Sequence, residues 1–81
     1  MNQAAIELEH YTLQGIEIGK ATFKLIAATN KHPEKLAPKF NETHAAAFLR
    51  KVQIDEGIIF PAKYKTQMRK AIIAGVMIGA R

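Results

Sequence analysis

Imidazole can ligate a metal or move a proton near neutral pH, so the histidines His10, His32 and His44 are the first residues to test for chemistry. None stands at ligand spacing from another, such as HxxxH, and His32 sits beside Pro33. Glu7, Glu9 and Glu17 supply carboxylates but have no pocket-forming companions, and they read as the solvated or ion-paired side of a first helix. Cysteine and serine are both absent, which removes thiolate ligands and the two commonest side-chain nucleophiles. No GxxxxGK[ST] or GxGxxG phosphate loop occurs. The expectation is a non-enzymatic chain without metal or cofactor.

What remains is a basic set. Lys63, Lys65, Arg69 and Lys70, with Tyr64 and Gln67 among them, open the last helical stretch, and Arg50 and Lys51 end the preceding one. Clustered around a helix-turn-helix-like corner, such side chains engage phosphates, and Gln67 or Arg69 reaches for base edges. The charge of +5 is laid out unevenly over the 81 residues. Residues 1–19 carry three acids and no Lys or Arg, whereas residues 61–81 carry five bases and no acid. Such asymmetry suits an acidic helix lying on a basic one, or a basic face offered to an anionic partner.

The elements that position these residues are unequally legible. In NETHAAAFLRKVQIDEG, Asn41 or Thr43 caps a helix and Gly57 ends it, with Ala45, Phe48, Leu49 and Val52 on one stripe. Pro61 suits the start of a second helix running to about Gly79, with Tyr64, Met68, Ala71, Ile72, Gly75 and Gly79 on its stripe. The two prolines of KHPEKLAPKFN mark a linker near 31–41 with one short helical turn. Residues 4–28 favour helix by propensity, but their apolar residues spread around the whole wheel. A hairpin over 13–26, with Gly19 opening a type II′ turn, is the alternative. The fold class expected is all-α, a small bundle of three to four helices in one domain over 1–81, or α+β if the hairpin forms.

Glycines four apart share one helical face and admit another backbone. If residues 4–28 are helical, Gly15/Gly19 and Gly75/Gly79 form the crossing point of the first and last helices; chance and a membrane role are the alternatives. The C-terminal run from Ile72 is apolar nearly all round. It must be buried internally, or contact a partner or a second copy through Ile72, Ile73, Gly75, Val76, Met77 and Gly79. Ala71 to Ala80 is too short to span a bilayer. No secretory signal opens the chain, and a cytoplasmic location is expected.

AAAFLRKV and EGIIFPAKYKTQMR resemble the small winged-helix DNA-binding domains of the excisionase and MerR type, in which an Ala-Ala-x-Phe-Leu helix precedes a Glu-Gly to Pro-Ala wing. There a recognition helix lies between the two; here only Gln53 to Asp55 separates them, so the resemblance assigns no residue roles. The leading expectation is a nucleic-acid-binding regulator of bacterial or phage type, using Arg50, Lys51, Lys63, Lys65, Gln67, Arg69 and Lys70. The second is an adaptor or inhibitor that meets an acidic protein surface through Ile54, Ile58, Ile59, Ile73 and Met77, rimmed by bases.

Overall fold

A computed structural model describes residues 2–81. It is all-α: α1 spans Gln3–Thr29, α2 Pro33–Leu36, α3 Glu42–Glu56 and α4 Ala62–Gly79, with a 3-10 turn at Ala37–Lys39 following α2. No strand occurs among the described residues, so the alternative hairpin at 13–26 does not form.

Local chemistry sets each boundary. The Asn2 side chain accepts the Ala5 amide at 2.8 Å and caps α1, which then meets no proline until Pro33. Asn41 caps α3 reciprocally: its side chain accepts the His44 amide at 3.1 Å, and His44 Nδ1 accepts the Asn41 amide at 3.2 Å. An imidazole here takes the place of the usual Glu of a capping box. Gly57 ends α3 at φ 66°, the left-handed cap that a side chain would strain. The linker supplies the expected short turn, as α2.

α4 is the central element. Its Met68, Ile72 and Val76 are fully buried, and Ala45 and Leu49 of α3, Phe40, Phe60 and Ala37 close around them. Each of those large side chains contributes about 1.5–3 kcal/mol by leaving water.

The principal partner of α4 is α1. Glu7 and Tyr11 lie by Tyr64, Gly15 by Met68 and Ala71, Gly19 by Ile72 and Gly75, and Phe23 by Gly79. The two helices therefore run parallel, and α3 runs back between them in the chain. Gly15, Gly19 and Gly75 are all buried in this seam. A Cβ on Gly19 would overlap the Ile72 carbonyl oxygen and lie 2.7 Å from Gly75 Cα; one on Gly75 would overlap the Ile16 carbonyl oxygen. The glycine spacing marks close backbone approach within the chain, not a membrane contact: no helix among the described residues is long and apolar enough to cross a bilayer.

The apolar C-terminal run takes the internal alternative. Ile72, Gly75 and Val76 are sealed against α1, Ile73 packs on the core edge, and Gly79 faces Phe23. Of the six residues expected at a partner or dimer contact, Met77 alone is exposed. The physical reason is the glycine seam, which brings α1 over the C-terminal half of α4.

Candidate binding surface

Successive helical residues point 100° apart, so a run of bases along α4 cannot all face one way. Lys65 and Arg69, four apart, turn toward α3, where they line a cleft with Ala46, Leu49, Arg50 and Gln53. That cleft continues past Arg50 and Lys65 to Ile54, Gly57, Ile58 and Ile59. No carboxylate lines either part, and none of Arg50, Lys65 and Arg69 has an ion-pair partner among the described residues. Arg69 Nη2 donates to Thr66 Oγ1 at 3.1 Å, which steadies its guanidinium beside the cleft.

The other four sequence-selected residues do not join this group. Lys51 points toward α1 and donates to Asp55 Oδ2 at 2.8 Å, in a cleft that also holds Glu17 and Glu56. Lys63 lies on the α1 side of α4, 3.9 Å from Glu7 Oε2 and 5.1 Å above the Tyr64 ring. Lys70, seven residues on, shares the flank of Lys63, and Gln67 is half-buried between them. The seven-residue patch is thus three surfaces, and Arg50, Lys65 and Arg69 are the cations that line one cleft between α3 and α4.

Glu7 is the point where the acidic first helix meets the basic last one. Tyr64 Oη donates to Glu7 Oε2 at 2.8 Å. That bond, with a second from Gln3 and the charge of Lys63, holds the carboxyl below its ordinary range despite some desolvation. The same carboxylate, aided by desolvation, pushes the Tyr64 hydroxyl above its ordinary value.

The apolar end of the cleft follows from how α3 stops. After the left-handed turn at Gly57 the chain runs without regular secondary structure through Ile58 and Ile59, and Phe60 is buried in the core. Gln53 Oε1 accepts the Phe60 amide at 2.9 Å, tying the loop back to α3. Pinned on both sides, the loop presents Ile58 and Ile59 outward beside Ile54 of the last turn of α3: Ile54 is 71% and Ile59 87% exposed, with Ile58 less so. Three of the five contact residues expected for an adaptor therefore share one surface, while Ile73 and Met77 lie near the far end of α4. The role of Gln53 was not apparent from sequence, since a glutamine carries no mark of the amide it accepts.

The histidines are separated. His10 is within hydrogen-bond distance of Gln14, His32 lies 3.4 Å from Glu34, and His44 completes the α3 cap. No group of three or more potential metal ligands forms among the described residues.

Comparison with known proteins returned no matching family model, no matching curated protein and no matching solved structure.

Proposed function

We propose that this chain is a non-enzymatic binding protein that docks on an acidic protein surface, with Ile54, Ile58 and Ile59 as the apolar contact and Arg50, Lys65 and Arg69 as the cationic rim. The observation that carries the reading is the exposure of Ile59, at 87%, beside three bases that no carboxylate neutralises. An isoleucine at that exposure gains by being covered, and a rim of unpaired cations selects for carboxylates on whatever covers it.

A second reading, nucleic-acid binding by a small regulator, draws on the same three cations. Each phosphate neutralised releases counterions, so three contacts give a log–log salt slope of about −2.7.

The two readings separate in one titration. The protein is titrated with a peptide that interleaves Asp or Glu with Leu and Phe, and with random-sequence duplex DNA, at several salt concentrations. The protein-docking reading expects peptide binding that Ile59→Asp weakens by about tenfold or more, with little effect of that change on DNA. Salt-sensitive DNA binding that Ile59→Asp leaves intact, without peptide binding, would transfer the cleft to the nucleic-acid reading.

A further inference from the structure

A second surface lies on the opposite side of α3. The glycine seam draws α1 onto α4, and α3 packs more closely on α4 than on α1. An open apolar trough is left along the α1–α3 boundary, lined by Leu13, Ile18, Ala21, Leu25, Phe48 and Val52. Leu13 is 55% and Leu25 54% exposed, an arrangement that a chain of 81 residues with a small core gains by covering.

The charges along this trough are polarised. Because α3 runs antiparallel to α1, its C-terminal Asp55 and Glu56 arrive beside Glu17, gathering three carboxylates at one end. Lys51 and Lys20 each pair with one of them, and Glu56 has no cation partner among the described residues. Toward the other end come exposed Lys24 on α1 and then Lys39 beside the last part of the trough.

We infer that this face is where two copies of the chain meet, α1 against α1 in antiparallel fashion, about a two-fold axis passing close to Ala21. A two-fold inverts helix direction, so it lays the acidic end of each trough on the basic end of the other. With the axis between residues 20 and 21, Glu17 of one copy and Lys24 of the second stand at the same height, since each lies the same number of 1.5 Å steps from the axis. Leu25 of one copy stands level with residue 16 of the second, between Leu13 and Ile18 on the trough side, where the trough is open. Ala21, exposed and small, sits at the crossing and lets the backbones approach. The contact uses none of Ile54, Ile59, Arg50, Lys65 and Arg69, although Ile58 borders both surfaces, so the dimer leaves the cationic cleft and Ile59 uncovered in each copy.

Sedimentation velocity on the full chain, between about 1 µM and about 1 mM, tests the inference. A dimer is expected within that range. Ala21→Arg and Leu25→Glu change exposed positions, so far-UV circular dichroism should stay helical while the dissociation constant rises about tenfold or more. Glu17→Lys and Lys24→Glu each weaken the dimer by juxtaposing like charges, and the double variant, with the charges exchanged, restores it to within about threefold. A wild-type monomer at every concentration leaves the trough to another occupant and overturns the inference. So does a dimer indifferent to Ala21→Arg and Leu25→Glu, or a charge exchange that fails to restore it.

Discussion

Replacing Gly19 by alanine sets a helix-propensity gain against a packing loss, and the seam geometry decides the sign. Alanine in a helix interior is worth about 1 kcal/mol over glycine. The new methyl, however, would overlap the Ile72 carbonyl oxygen and lie 2.7 Å from Gly75 Cα and 2.8 Å from Val76 N. Ordinary contact begins near 3.4 Å, and every atom met is backbone, so no rotamer change relieves the clash. The helices must separate by on the order of 1 Å, which also loosens Gly15 against Ala71 and leaves Ile72 and Val76 imperfectly packed. Overpacking that side chains absorb costs about 1–3 kcal/mol, and a backbone clash belongs at or above the top of that range. The net expectation is a loss of about 2 kcal/mol or more, or roughly 8–16 °C in Tm for a domain of this size. Gly79→Ala serves as the control: its methyl would lie 3.0 Å from Phe23 Cβ, a side chain at the open end of the seam, and it should be near neutral. Urea denaturation followed by circular dichroism gives both values. Gly19→Ala at or above wild-type stability, with Gly79→Ala no different, would refute the tight seam.

Two further outcomes follow from the bonds around the candidate surface. Tyr64→Phe removes the donor that does most to hold Glu7 low, so the variant should lose stability relative to wild type near neutral pH. Because the folded-state value of Glu7 is depressed, its contribution is present above the ordinary carboxylate range and lost as pH falls through the lowered value. The gap between variant and wild type should therefore close in acid. The raised Tyr64 value works the other way, its contribution being lost as pH rises through it; urea midpoints across pH would miss both trends if the bond were absent. Gln53→Ala leaves the Phe60 amide without its acceptor and should cost about 1–2 kcal/mol by thermal denaturation. An unchanged midpoint would mean that water replaces the side chain at no cost.

Much of the fold is written in local chemistry. Asn41 and Gly57 bound α3 and Pro61 precedes α4, because caps and breakers act over a few residues and need no tertiary knowledge. The glycine pairs named the helices that cross, since only a close backbone neighbour rewards that spacing. α1 was ambiguous for a physical reason: α4 covers one side of it, α3 part of another, and leucines remain in water on the rest, so no single stripe forms. That α1 and α4 run parallel has no local signature, because direction is decided by how far α3 travels back. The basic set misled because nearness in sequence is not nearness on a helix. Lys63 and Lys65 point 200° apart on α4, so the cluster was bound to divide, and a wheel projection carries that signal. Which fragment would meet Arg50 required knowing where α3 lies.

The parallel pairing of α1 with α4 has a cost in time. Gly19 and Gly75 are far apart in sequence, so α1 leaves the ribosome well before the α4 residues it packs against are made. At about 5–20 residues per second the interval is roughly 3–11 s. Throughout it, the glycine-lined flank of α1 has nothing to rest on, and α3 alone cannot cover it. Nascent chains stalled after α3 should therefore be open to proteases and chaperones, and acquire protection abruptly once α4 emerges.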